Sequence, residues 1–99
     1  MHIEILDDAQ EDILSGILFY ESQQYGAGEY FLDSISAEIE SLHLYAGIHT
    51  KRFGFYALFA KRFPYTIYYR IKEMTIQIIA VLDERQDPHT ISKRLKGEV

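Results

Sequence analysis

The sequence predicts an α+β fold in the order β-α-α-β-β-β-α, with a helical hairpin packed on an antiparallel sheet meander and a short C-terminal helix. Three observations carry this expectation. Apolar residues recur at helical spacing up to about residue 46,. The period changes to alternation from Phe53,. Glycine and proline punctuate the segments where a chain reversal is needed. With 99 residues, of which 47% are apolar, the chain is the size of one domain, predicted to span residues 1–99.

His2-Ile3-Glu4-Ile5-Leu6 alternates weakly and reads as a short strand. Asp8, with Glu11 three residues later, has the spacing of a helix N-cap and its reciprocal acid. Ile13, Ile17 and Tyr20 recur at helical spacing, and Leu14 and Leu18 widen the stripe. Gly16 interrupts it at a cost of about 1 kcal/mol relative to Ala. Gly26 suits a left-handed stop. A second helix is expected from about Gly28 to Ala46, with Phe31, Ile35, Ile39 and Leu42 as its stripe and Gly47 as its end. The short Gly26-Ala27-Gly28 connection makes the two helices an antiparallel hairpin.

In the second half Phe53, Phe55, Ala57 and Phe59 alternate onto one strand face, and Pro64 ends that strand because it has no N–H for a ladder. Tyr65 to Lys72 forms the next strand, with Ile67, Tyr69 and Ile71 on one face. Lys72-Glu73-Met74 turns the chain. Thr75 to Asp83 follows, with Ile76, Ile78, Ala80 and Leu82 on one face. Asp87-Pro88 combines a capping acid with proline at the first helical position and opens a helix to about Lys96. The opposite sheet face collects Tyr56, Leu58, Tyr68, Ile79 and Val81, so it too is apolar. It needs a cover: the last helix, another copy, or a partner.

Composition excludes several functions. Without cysteine there is no disulfide scaffold, thiol nucleophile or thiolate metal site, which fits a cytoplasmic protein. No apolar run approaches membrane-spanning length, and no signal-peptide pattern is evident. Residues 1–40 carry ten acids and no Lys or Arg, whereas residues 41–99 carry all ten Lys and Arg and five acids. The halves are thus −10 and +5, and the positive half is either a set of solvated charges or a surface for an anion or acidic partner. His43 and His49 are six apart with no converging acids, so no metal is expected. The serines lie in helical segments outside any Gly-x-Ser-x-Gly pattern. Gly26-x-Gly28 is too short for a phosphate loop. No cofactor is implied.

The run Lys61-Arg62-Phe63-Pro64-Tyr65-Thr66-Ile67-Tyr68-Tyr69, then Ile76-Gln77-Ile78-Ile79-Ala80-Val81-Leu82, then Arg85-Gln86-Asp87-Pro88, resembles the RelE/ParE toxin superfamily in its ParE-like branch. Ala9 to Ile13 resembles that family's opening helix, so the likeness spans nearly the whole chain. Much of the motif is a folding signature: Pro64 forces Phe63 into an extended conformation, and the tyrosines pack a sheet.

The resemblance implies the toxin of a type II toxin–antitoxin (plasmid stabilisation) module, neutralised by a cognate antitoxin. The RelE branch cleaves mRNA on the ribosome; the ParE branch lacks that catalytic set and typically poisons DNA gyrase. Cleavage by a 2′-hydroxyl needs a base, an acid and cations for the phosphorane. The matching candidates are Lys61, Arg62, Arg85 and His89. That set is thin, no tyrosine follows Tyr69, and a net charge of −5 opposes RNA binding. The expected function is therefore non-enzymatic target binding, with Lys51, Arg52, Lys61, Arg62, Arg70 and Arg85 as target-binding candidates. A ribosome-dependent endonuclease and an inactive antitoxin-binding member are the alternatives. Tyr56, Leu58, Tyr68 and Ile79 are the candidate antitoxin-binding residues, through a helix laid in a groove or an added strand.

Overall fold

The computed structural model describes residues 1–97. Its elements are β1 (His2–Ile5), α1 (Asp7–Gln23), α2 (Ala27–Glu40), α3 (Leu42–Tyr45), β2 (Lys51–Arg52), β3 (Phe55–Phe59), β4 (Tyr65–Lys72), β5 (Thr75–Asp83) and α4 (Pro88–Lys96). The five strands form one sheet in the order β1-β5-β4-β3-β2. The meander β3-β4-β5 is antiparallel as expected, while β1 lies parallel to β5 and makes β5 an interior strand.

The helical hairpin covers one face. Ala9, Phe31, Ile35, Ile39 and Leu42 pack there on Leu58, Ile67, Tyr69, Ile76, Ile78 and Val81. Burial of so many large side chains, at about 1.5–3 kcal/mol each, is the main force holding the layers together. Helix α4 covers the other face: Ile91 and Leu95 pack on Phe55, Ala57, Tyr68, Ile79, Ala80 and Leu82. The second apolar face is thus covered, in part, by the chain itself.

The hairpin depends on close approach at two glycines. A Cβ on Gly16 would stand 2.4 Å from Phe31 Cε2, and one on Gly28 would stand 2.7 Å from the Ile17 carbonyl oxygen. Between the helices the Glu21 carboxylate accepts the N–H groups of Gly26 (3.1 Å) and Gly28 (3.0 Å). These are among the otherwise orphaned donors at the start of α2. The aromatic residues of the Phe63-Pro64-Tyr65 turn complete this end of the core: the Phe63 ring sits 4.7 Å from Tyr20 and 5.1 Å from Phe31.

Several local expectations are corrected. Helix α1 begins at Asp7 with Leu6 as N-cap and no side-chain cap, so Asp8 lies inside the first turn, where its charge complements the helix dipole. Gly26 is left-handed (φ 86°) but precedes α2 directly as its N-cap. The second helix breaks at Ser41, whose hydroxyl donates to the Glu38 carbonyl, and resumes as α3. Phe53 is not in a strand: with φ 55°, followed by Gly54 at 88°, it forms the tight turn between β2 and β3. Lys51 and Arg52 form a short strand, β2, ahead of the meander. The Asp87-Pro88 cap is as expected, with Asp87 accepting the His89 N–H at 2.9 Å.

The face assignments change most. Tyr56 pairs with Tyr69, so Tyr56 and Leu58 face the hairpin, and Phe55 and Ala57 face α4. A bulge in β5 leaves Ile79 as an extra residue between the pairs Tyr69–Ile78 and Tyr68–Ala80. Beyond it the alternation inverts, so Ile79, Ala80 and Leu82 share the α4 side while Val81 turns to the hairpin,.

Candidate functional site: the basic and aromatic edge of the sheet

The basic candidates fall into two groups set by strand direction. Lys61, Arg62 and Arg85 lie at the end of the sheet where β3 and β5 finish, and Lys51, Arg52 and Arg70 lie on β2 and β4. On β2 successive side chains take opposite faces. Lys51 Nζ lies over the Tyr56 ring at 4.9 Å on the hairpin side. The Arg52 guanidinium lies over Phe53 (5.1 Å) and Phe59 (5.8 Å) on the α4 side. All three contacts are of cation–π type, so these cations are held rather than waving in solvent.

Arg70 belongs to a polar row across three strands: its Nε donates to Gln77 Oε1 (2.7 Å), and Gln77 Nε2 donates to Glu4 Oε1 (2.9 Å). Arg85 is clamped by Asp83, which accepts from its backbone N–H, Nε and Nη2. That pairing holds the Asp83 carboxyl below the usual carboxylate range and raises the Arg85 guanidinium further. The His89 backbone N–H donates to Asp87 Oδ1 at 2.9 Å. Among the described residues no hydrogen bond or ion pair joins Lys61, Arg62, Arg85 and His89 to one another. Lys61 and Arg62 flank a cavity of about 180 Å³ lined also by Ser34, Ala37, Glu38 and Ser41. The Lys61 N–H donates to Glu38 Oε2 at 2.8 Å.

The four apolar candidates do not form one patch. Tyr56 and Leu58 lie under the hairpin, Tyr68 and Ile79 under α4, and Leu58, Tyr68 and Ile79 are buried. The Tyr68 hydroxyl is fully enclosed and finds no hydrogen-bond partner among the described residues. Its pKa is raised by desolvation, with the Arg52 charge opposing.

Three interactions beyond the sequence expectation organise this region. Asp12 on α1 accepts the Val81 N–H at 3.0 Å and pairs with both terminal nitrogens of Arg94 on α4 at 2.8 and 2.9 Å. Glu38 caps the end of β3, as above. His49, set aside as a metal ligand, shares a hydrogen bond with the Tyr69 hydroxyl, which also accepts the Gly47 N–H at 2.9 Å. No spacing rule links residues 49 and 69; the pairing of β2 with β3 and of β3 with β4 brings them together. Among the described residues no group of three His, Asp or Glu side chains is placed to hold a metal.

His49 yields a pH prediction. Burial lowers its pKa below the ordinary value of 6.5, against an opposing effect of Glu38. Above that value both folded and unfolded forms are neutral and the stability is full. As pH falls through 6.5 and on to the lowered folded value, the unfolded chain takes up a proton first and stability is lost. Urea unfolding at pH 7.5 and 5.5 is expected to show a larger acid loss for the wild type than for His49→Gln. Equal losses in the two proteins would refute this.

The described helices include none long and apolar enough to cross a membrane. The fold is similar to a chain described as "Chromosomal ParDE TA system from P. aeruginosa", with a TM-score of 0.69 at 20% identity over 82% of this chain and 92% of that one. No curated protein matches the sequence. The family model for the ParE toxin of the type II toxin–antitoxin system parDE matches residues 3–88, from the first strand through the Asp87-Pro88 cap, and the chain belongs to that family.

Proposed function

We propose that this chain is the toxin of a two-component module, that it acts in the cytoplasm by binding a macromolecular target, with DNA gyrase the target the family suggests, and that a cognate antitoxin neutralises it. The family match over residues 3–88 carries this reading. The disposition of the charged groups supports binding over RNA cleavage. Arg85 is engaged by Asp83, and among the described residues no hydrogen bond or ion pair joins His89 to Lys61 or Arg62. Among the described residues these groups thus form no hydrogen-bonded acid–base pair of the kind that attack by a 2′-hydroxyl needs.

The test is induction of the chain alone in a bacterial host, and then together with the small protein encoded by a neighbouring reading frame. The expected result is arrested growth with filamentation and DNA-damage signalling while translation continues, loss of supercoiling by purified gyrase, and rescue by the neighbour. An immediate stop in translation, relieved by Arg85→Ala or Lys61→Ala, would replace this reading with an mRNA endonuclease. Undisturbed growth would leave an inactive antitoxin-binding module.

A further inference from the structure

We propose that β1 pairs with β1 of a second copy of this chain, antiparallel and centred on Ile3, so that two five-stranded sheets join into one. The inference concerns the chain alone and does not depend on the toxin reading above. Strand β1 ends the sheet on the side opposite β2. Its His2 N–H donates to the Met74 carbonyl at 3.2 Å, and the Leu6 N–H donates to the Ile78 carbonyl at 3.1 Å. Residues 2, 4 and 6 thus turn their backbone groups to β5, and Ile3 and Ile5 turn theirs outward. Among the described residues no backbone group pairs with the outward set, and an unpaired edge is a template for another strand. One outward group is already engaged: the Gln10 side-chain amide donates to the Ile5 carbonyl at 2.8 Å. That bond closes the edge where α1 begins.

The polar residues of the strand select the occupant. β1 reads His2-Ile3-Glu4-Ile5, so a base and an acid flank Ile3 symmetrically. When two antiparallel copies are centred on Ile3, His2 of each stands opposite Glu4 of the other. A complementary pair directly across the ladder is thereby made twice. Imidazole can donate a ring N–H to a carboxylate whether it is neutral or charged. Gln77 Nε2 donates to Glu4 Oε1 at 2.9 Å and steadies the carboxylate beside the edge.

The same features reject the neighbouring registers. Centred on Glu4, the strands would oppose two carboxylates and would need the Ile5 carbonyl that Gln10 occupies. Centred on His2, they would oppose two imidazoles and leave Ile5 without a partner. In the Ile3 register each Ile3 N–H donates to the Ile3 carbonyl of the other copy, and each Ile5 N–H donates to the Met1 carbonyl. The axis is normal to the sheet, so both hairpins stay on one side. There the edge borders a cavity of about 400 Å³, with Ile3, Ile5 and Ile39 as apolar walls and His2, Glu40 and His43 as polar ones. Met1, half exposed in the single chain, comes opposite Ile5 of the second copy and shares its face, so its side chain is directed at that cavity. The contact is one short strand long, which makes the dimer weak and dependent on concentration.

Sedimentation equilibrium of the chain alone, from ~5 µM to ~1 mM, is expected to show a reversible monomer–dimer equilibrium. Amide hydrogen exchange at the Ile3 and Ile5 N–H groups should be at least ~10-fold slower in concentrated than in dilute protein. Ile3→Pro removes an outward donor that the fold does not use, and should weaken dimerisation at least ~10-fold. His2→Glu opposes two carboxylates and should weaken it by a similar factor, while adding Glu4→Lys to that variant reverses the pair and should restore the dimer. The rescue is specific to the Ile3 register, and it stands even where the proline variant fails to fold. A chain that stays monomeric over the whole range overturns the proposal. So does a dimer that leaves the Ile3 N–H unchanged, that survives Ile3→Pro, or that the charge reversal fails to restore. Protection of Ile3 only on adding the neighbour-encoded protein would overturn it in favour of a different partner. The toxin reading rests on the growth experiment and is untouched by any of these results.

Discussion

Replacing Asp12 with alanine is expected to lower the unfolding free energy by about 3 kcal/mol and to loosen α4 from the sheet. The reason is that one carboxylate serves three elements. Its Oδ2 accepts the Val81 N–H just beyond the β5 bulge, past the end of β1, and both oxygens hold Arg94. The Asp12 side chain is only 13% exposed and that of Arg94 30%, so the pair is better shielded than the surface ion pairs that contribute little. Its loss leaves a backbone donor and a guanidinium without their acceptor. Asp12→Asn retains an oxygen for Val81 but not the charge, and should lie between the wild type and alanine. Urea unfolding gives the stabilities, and hydrogen exchange at Val81 separates the two roles: the amide should open in Asp12→Ala and stay protected in Asp12→Asn. An alanine variant with an unchanged urea midpoint would refute the linkage.

Alanine at Gly28 is expected to destabilise by about 2–3 kcal/mol, near the upper part of the range for overpacking. Its Cβ would meet the Ile17 carbonyl oxygen at 2.7 Å and the Glu21 side chain at 3.0 Å. The first neighbour is backbone in the middle of α1, so it cannot rotate away, and the helices must separate. Separation also breaks the Glu21 bonds to Gly26 and Gly28. Gly16→Ala makes the contrast. Alanine gains about 1 kcal/mol of helix propensity there, and the obstruction is the Phe31 ring, 2.4 Å from the added carbon. That ring is wedged between Tyr20, Phe63 and Tyr65, so it yields only by disturbing the aromatic cluster. Both variants should unfold at lower urea, with Gly28→Ala the more damaging. A neutral Gly28→Ala would mean that the helices can part at little cost.

The sequence reads Gly16 only as a weak point in a helix, because propensity is a property of one helix in isolation. Its use becomes visible when Phe31 of the second helix is laid across it. The same limit applies to the candidate site. Lys61, Arg62, Arg70 and Arg85 could be singled out as cations, but not that Asp83 clamps Arg85 or that Gln77 and Glu4 continue from Arg70. In the sequence Glu38 is one acid among the ten of residues 1–40. Its role at the end of β3 depends on how α2 crosses the sheet. Tyr56 and Leu58 face the hairpin rather than α4, which alternation does not reveal because β3 is apolar on both sides and carries no pattern to fix its register. The bulge at Ile79 was likewise silent in an unbroken apolar run.

By itself the sequence determined the order of the principal elements, the helical hairpin, the antiparallel meander, the Asp87-Pro88 cap and the family likeness. All of these follow from periodicity, punctuation and motif, which are written in residues near one another along the chain. Tertiary structure alone decided the parallel seat of β1, the two-residue strand β2, which side chains face which helix, and the joining of Asp12 to Arg94 and His49 to Tyr69. Those features are pairings between distant segments, and their energies depend on register and crossing geometry that no local pattern encodes.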